Sequence, residues 1–172
     1  MTVQLDNKII YKGESYLTYS DPLAVYLSDK GIKVISDCSA CWSGYVGTWE
    51  IVGSKLFIAK IEPFFLDEAD EKKFRMESLF PCQERVFADW YTGEIHIGLG
   101  KVLYYTNVFH TPVCEEDLYI QIENGIEVGA RIEDNRNKPI IEDFQSLLVK
   151  AKTISCNNWL CKLNCQILNK KA

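Results

Sequence analysis

Two cysteines three residues apart, Cys38 and Cys41, form the C-x-x-C segment of this chain. A redox pair of this kind has its first cysteine at a helix N-terminus, where the helix dipole lowers the thiol pKa. Here residues 42–46 continue into a strand, which argues against redox catalysis. A zinc site would need two further ligands, and Cys161 and Cys165 share one face of a predicted helix. The sequence favours buried, reduced thiols and leaves a zinc-stabilised structural module as an alternative.

The chain has two histidines, His96 and His110, and neither belongs to a metal motif such as H-E-x-x-H. His96 has an isoleucine on either side, so its side chain should point away from the face that those isoleucines bury. Asp89 and Glu94 flank a Trp-Tyr pair, and two carboxylates beside aromatic rings suit acid–base chemistry on a sugar. A small enzyme whose pocket gathers these two histidines and two acids is therefore a second hypothesis.

Nucleotide-binding loops and the esterase nucleophile elbow are missing from the sequence, because it contains no G-x-x-x-x-G-K-[ST], no G-x-G-x-x-G after a strand and no G-x-S-x-G. We therefore expect no cofactor. The chain has 172 residues, of which 47% are hydrophobic and 25% charged, as in an ordinary globular domain. No apolar run approaches the roughly 20 residues that span a bilayer, and MTVQLDNKII does not resemble a signal peptide. Seven cysteines make a poor disulfide framework, so we expect a cytoplasmic protein with no membrane partner.

The net charge of −5 is unevenly distributed along the chain. Residues 1–143 hold all 24 acidic side chains against 14 basic ones, a net charge of −10, and the remaining residues carry +5. An acidic body argues against binding nucleic acid. The basic tail either docks on its own acidic body or reaches a polyanion or membrane surface. Its apolar residues, such as Trp159, Leu160 and Leu163, favour docking because they need burial.

Segments rich in β-branched and aromatic residues surround short turn signals and predict antiparallel hairpins. Three of them span 44–61, 86–97 and 117–132, with turns at Gly53-Ser54, Thr92-Gly93 and Asn124-Gly125. Residues 2–20 predict an opening hairpin around Lys12-Gly13, and a turn at Gly98 to Gly100 should lead into a strand at 102–108. The expected fold class is α+β: a single twisted, mostly antiparallel β-sheet, a meander of hairpins, packed by a few short helices.

Helical spacing and capping signals place those helices. Ser20-Asp21-Pro22 provides an N-cap and a proline for the first turn, which predicts a helix at 22–30. An insert helix is expected at 67–78, a polar linker at 134–139, and tail helices at 142–152 and 157–169. The whole chain, residues 1–172, reads as one α+β domain, with residues 144–172 forming a basic amphipathic helical tail docked on the sheet.

Two segments, W-x-G-Y-x-x-T-W-E-I at 42–51 and F-A-x-W-Y-T-G-E at 87–94, carry a family resemblance. With them, residues 41–97 resemble a group of small uncharacterised bacterial proteins that share both segments. The resemblance covers about a third of the chain and implies a bacterial or bacteria-derived cytoplasmic protein. It assigns no activity and no functional residues.

The leading hypothesis is a non-enzymatic protein-binding module that engages a basic protein partner. An immunity protein that neutralises a cationic toxin is one form of it. Side-chain alternation along the strand and the nearby turn predict which residues are exposed. The expected binding residues are Tyr91, Glu94 and His96. Large aromatics such as Tyr45, Trp49 and Trp90 are expected in the core instead.

Overall fold

The computed structural model describes residues 4–34, 36, 38–64, 72–105 and 112–138. Within these ranges eight strands form one twisted, largely antiparallel sheet flanked by short helices, which confirms the predicted α+β class. The elements are β1 (Asn7–Tyr11), β2 (Glu14–Thr18), α1 (Pro22–Asp29), β3 (Tyr45–Val52), β4 (Lys55–Pro63), α2 (Met76–Leu79), β5 (Val86–Phe87), β6 (Gly93–Tyr105), β7 (Pro112–Glu123) and β8 (Ile126–Asp134).

The sheet has the strand order β2-β1-β3-β4-β8-β7-β6, and β5 is paired with β4 outside this path. Its pairs are antiparallel except for β1 with β3, which run parallel. The sheet curls until its two ends meet, since the Tyr19 amide donates to the carbonyl oxygen of His96 over 3.2 Å. Thr18 Oγ1 donates to the same carbonyl over 2.8 Å. The end of β2 therefore closes over β6, and the apolar faces of the strands turn inward together.

Three predicted hairpins and the first helix are confirmed. The turns at Lys12-Gly13, Gly53-Ser54 and Asn124-Gly125 each join two paired strands, and both residues of each turn have positive φ. That backbone conformation matches the right-handed twist of the flanking strands. Helix α1 begins after Asp21, whose side chain accepts a hydrogen bond from the Ala24 amide.

Two predicted turns are wrong. Thr92-Gly93 does not close a hairpin, because β5 leaves β6 and pairs with β4 through Phe57 and Ile58. Gly98 to Gly100 is not a turn either, since β6 runs without interruption to Tyr105 and the register with β7 shifts after Leu99. These glycines mark a bulge in one long strand. The strand predicted at 102–108 is the second half of β6, which is described as far as residue 105.

Other predicted elements lie partly or wholly outside the described residues. The insert helix predicted at 67–78 overlaps residues 65–71, which are not described; residues 72–73 are helical, 74–75 are not, and α2 follows from Met76 to Leu79. Both tail helices lie beyond residue 138. The linker predicted at 134–139 is wrong at Asn135, which is buried and hydrogen-bonded. Within the described ranges, the helices are too short or too polar to cross a bilayer.

The core lies inside the curl of the sheet, and Trp49 and Tyr45 belong to it as predicted. Trp90 is half-buried against this core, and its indole N–H donates to the carbonyl oxygen of Pro22 over 3.0 Å. The largest fully buried apolar side chains come from five of the strands and from α1. They are Ile9, Leu23, Trp49, Leu56, Ile58, Ile95, Ile97, Ile120 and Ile122.

The Asp21 carboxylate that caps α1 should make stability depend on pH. The Tyr45 hydroxyl lies 3.0 and 2.8 Å from its two oxygens, yet burial still raises the pKa of Asp21 from its usual 3.8 to about 6. Since the folded state holds this proton more tightly than the unfolded chain, stability falls as pH rises from 4 to 6. A shift of two units corresponds to about 3 kcal/mol. Asp21→Asn, which keeps the cap, should remove the part of this fall that Asp21 causes.

Urea unfolding of the wild type and Asp21→Asn at pH 4, 5, 6 and 7 measures the effect. Burial also raises the pKa of Asp6 to about 6, so both proteins share that contribution and only their difference reports Asp21. The difference should grow from near zero at pH 4 to its full size at pH 7, with the variant the more stable protein. Two curves that stay parallel across this range would contradict the assignment.

Candidate functional site

The predicted binding residues Glu94 and His96 lie on the same outer face of β6. Ile95 and Ile97 are fully buried on the opposite face, so the alternation predicted from sequence is confirmed. Tyr91 is a correction, because it is buried rather than exposed. Its hydroxyl donates to the Glu94 carbonyl oxygen over 2.9 Å, and burial strongly raises its pKa. Tyr91 turns inward because it precedes β6 in a bent connection instead of standing at a hairpin tip.

Cross-strand pairing places a row of large side chains beside His96. His96 on β6 is paired with Tyr119 on β7, which is paired with Arg131 on β8. The imidazole stacks on the Tyr119 ring with centroids 4.6 Å apart and planes 12° apart. The Arg131 guanidinium lies 4.3 Å from the centroid of the same ring. Such stacked pairs hold their members in fixed orientations.

Carboxylates hold both ends of this row. Arg131 forms a two-nitrogen ion pair with Glu94 and also lies 3.3 Å from a carboxylate oxygen of Glu133. At the other end, His96 Nε2 lies 3.0 Å from Oδ1 of the buried Asp117. We call Glu94, His96, Asp117, Tyr119 and Arg131 the outer ladder. It is a continuous chain of charged and aromatic groups across three strands.

Asn135 holds the buried carboxylate of Asp117 in place. Its side-chain amide donates to Asp117 Oδ2 over 2.7 Å and to the Cys114 carbonyl oxygen over 3.1 Å. The His96 Nε2 and Asp117 Oδ1 atoms are close but lack hydrogen-bond geometry, and neither has a hydrogen-bond partner among the described residues. The amide of Asn135 is therefore the main support of this carboxylate.

Tyr19 and Cys114 pack beside the ladder. The Tyr19 ring meets His96 edge-on, with centroids 5.0 Å apart. Burial is the main cause that raises the pKa of the Tyr19 hydroxyl far above its usual value, and it also raises the pKa of the Cys114 thiol. Cys114 therefore stays a neutral thiol near pH 7, which is a poor nucleophile.

The enzyme hypothesis required its four residues to line one concavity. An open depression of about 880 Å³ lies between the end of β4, α2 and residues 82–84, and neither Asp89, Glu94 nor His96 lines it. Asp89 is exposed in the connection between β5 and β6. His110 lies outside the described residues. The structure thus brings together Glu94 and His96, through Arg131 and Tyr119, but does not add Asp89 to them.

The C-x-x-C segment forms a turn in which the Cys41 amide donates to the Cys38 carbonyl oxygen over 3.1 Å. Cys41 is buried, its thiol lies 3.3 Å from the Tyr45 carbonyl oxygen, and burial raises its pKa. The four described cysteines are free thiols. Among described residues no three metal-ligating side chains cluster, and the other proposed zinc ligands, Cys161 and Cys165, lie outside them.

Sequence reasoning missed Asp117, Tyr119, Arg131 and Asn135. A partial signal was present in the Asn124-Gly125 turn, because counting outward from it places Tyr119 opposite Ala130 and Asp117 opposite Ile132, each one residue short of the actual partner, Arg131 or Glu133. A bulge after Gln121 shifts the register by one residue, so the count alone gives the wrong partners. What the arrangement can do is present a rigid face of aromatic and paired charged groups.

Comparison with known proteins adds no relative: no family model, curated protein or solved structure matches this chain.

Proposed function

We propose that this protein is a non-enzymatic cytoplasmic binding module that engages a basic protein through the outer ladder. An immunity protein that neutralises a cationic toxin is the specific form we favour. The observation that carries the proposal is the ladder itself, in which Tyr119 and Arg131 are fixed in place on the outer face of the sheet. Aromatic and arginine side chains held rigidly are the groups that dominate affinity at protein interfaces.

The charge around the ladder supports a basic partner. Residues 86–138, which contain all of its members, carry nine acidic and four basic side chains. Glu94, Glu133 and Asp134 are at least 40% exposed by side chain even though each pairs with an arginine. An excess of acidic groups around an aromatic centre attracts a cationic surface at long range and accelerates its encounter. The ladder would form the contact surface, and the surrounding acidic side chains would attract and orient the basic partner.

The binding test uses the protein products of the genes adjacent to its own, each purified and measured singly by surface plasmon resonance. We expect one basic neighbour to bind, with an association rate that falls at least about tenfold between 50 and 500 mM NaCl. Tyr119→Ala should weaken that complex about tenfold or more, as expected for a buried interface anchor.

Two charge reversals separate local steering from the overall charge. Glu133 is 40% exposed by side chain and pairs with Lys138, and Glu62 on β4 is 39% exposed and pairs with Lys60. Glu133→Lys should slow association severalfold, whereas Glu62→Lys changes the net charge equally and should have little effect. Equal slowing by both variants, or a complex whose rate ignores salt, would contradict binding at the ladder.

A further inference from the structure

Among the described residues, one row of apolar side chains on the core-facing side of β8 is exposed to solvent. Ile132 is paired with Leu118, which is paired with Ile97, and the last two side chains are buried in the core. Cross-strand partners share a face of a sheet, so Ile132 faces the same way as its neighbours. Nevertheless, Ile132 is 60% exposed.

The two alternate residues before Ile132 show the same exposure. Ala130 is paired with the buried Ile120 and is itself exposed, and Val128 is 51% exposed. Residues two apart on a strand point to the same side, so Val128, Ala130 and Ile132 form one apolar strip, which we call the β8 row. The row is exposed because β8 is paired with β4 only at Lys55 and Ile126, and the rest of β8 extends beyond the β3–β4 hairpin.

We propose that the β8 row is the docking site of the tail of this same chain, specifically of residues 142–152. This segment has Phe144, Leu147, Leu148 and Ala151 at the spacing of one helix face. It lies outside the described residues, and the proposal concerns where it binds. The proposal is independent of the binding function assigned to the outer ladder, which lies on the opposite face of the sheet.

The described chain ends in a turn directly after β8. Directly after the strand, the Asn135 amide donates to the Glu115 carbonyl oxygen and the Lys138 amide donates to the Asn135 carbonyl oxygen. The second bond joins residues three apart, as in a β-turn. The last described residue, Lys138, is six residues after Ile132 and four before residue 142, so only a short stretch of chain separates the row from its proposed occupant.

Length fits this occupant, and the charge of the whole tail favours it. A helix of 11 residues is about 16 Å long, and the five residues from Val128 to Ile132 span about 14 Å of strand. Residues 112–138 carry seven acidic and three basic side chains. The occupant begins with Glu142 and Asp143 and ends with Lys150 and Lys152, and the tail after it, residues 153–172, adds three lysines and no acid. Apolar contact along the row and attraction between the acidic strands and the basic tail act together.

A photo-crosslinking amino acid placed at position 132 of the full chain tests the contact directly. We expect a crosslink within one chain, at monomer mass, to a peptide containing residues 144–152. The same group at position 17 is the matched control, because Leu17 is 53% exposed and points away from the core on β2. Crosslinks at dimer mass, or crosslinks from position 132 to any other segment, would overturn the proposal, the former in favour of a second copy.

Trypsin cleavage at Lys150 and Lys152 gives an independent readout. Ile132→Glu should accelerate this cleavage about tenfold, because it places a charge in the docked interface, and Leu148→Glu should have the same effect from the other side. Leu17→Glu should leave the rate unchanged. An unchanged rate in Ile132→Glu, with a wild-type circular dichroism spectrum, would also overturn the proposal.

Discussion

Replacing Asn135 by leucine is expected to lower the free energy of unfolding by about 3 kcal/mol. The side-chain amide of Asn135 donates to the buried Asp117 carboxylate and to the Cys114 carbonyl oxygen. Leucine has nearly the same size but no donor, so it leaves both oxygens without this partner. Because Asp117 keeps its desolvation cost and loses its main hydrogen bond, the loss should exceed that of an ordinary surface substitution. Urea unfolding at pH 7 measures it.

The neighbouring Arg136 provides the control for this change. Arg136 pairs with Glu116 and Asp134 on the surface, and exposed ion pairs contribute only about 0–1 kcal/mol. Arg136→Leu should therefore cost little. A double variant, Asp117→Leu with Asn135→Leu, should lose less than the sum of the two single changes, since neither polar group is then stranded. Additive losses would show that Asn135 does not act through Asp117.

The sequence predicted the parts of the fold that depend on short-range signals. The two-residue turns at 12–13, 53–54 and 124–125 are such signals, since each contains a glycine, which adopts positive φ without steric cost, beside a second residue whose φ is also positive. The cap of α1 is equally local, because Asp21 and Pro22 act within one helical turn. These features are set by the backbone preferences of adjacent residues, so tertiary contacts do not override them.

The wrong turns have tertiary causes that no short segment reveals. Gly98 lies where the Cys114 thiol and the Tyr19 hydroxyl approach, and a Cβ added there would be 2.6 Å from that sulfur and 3.1 Å from that oxygen. The glycine is thus present for close packing, and Gly100, with φ of +77°, forms the bulge. At Thr92-Gly93, β5 pairs with β4 instead, where Phe57 and Phe87 place their ring centroids 5.7 Å apart.

The candidate site could be predicted only in part, because some of its features are local and others depend on contacts between strands. Alternation along β6 was enough to place His96 and Glu94 on the outer face. Their partners come from other strands, and Asn135 reaches Asp117 across 18 residues of sequence after a bulge has shifted the register. Tyr91 was misplaced because proximity to a glycine suggested an exposed hairpin tip, whereas the connection bends into the core.

Replacing Gly125 by alanine is expected to lower the free energy of unfolding by about 4 kcal/mol, the sum of two effects. Its φ of +76° costs a residue with a side chain about 1–2 kcal/mol. In addition, a Cβ would lie 2.6 Å from the Ala88 carbonyl oxygen and 2.9 Å from its carbon, and backbone atoms cannot move aside cheaply. Shifting the turn would break two hydrogen bonds: the Gly125 amide donates to the Tyr91 carbonyl oxygen, and the Leu56 amide donates to the Gly125 carbonyl oxygen.

Gly13 offers a matched control because it is also the second residue of a two-residue turn. Its φ is +85°, but no described atom lies within 4 Å of an added Cβ. Gly13→Ala should therefore show only the backbone cost, about 1–2 kcal/mol. The difference between the two variants in urea unfolding isolates the packing of the β7–β8 turn against the segment before β6. If both variants lost the same stability, packing against the Ala88 backbone would not hold the β7–β8 turn in place. The register that places Arg131 beside Tyr119 would then need another cause.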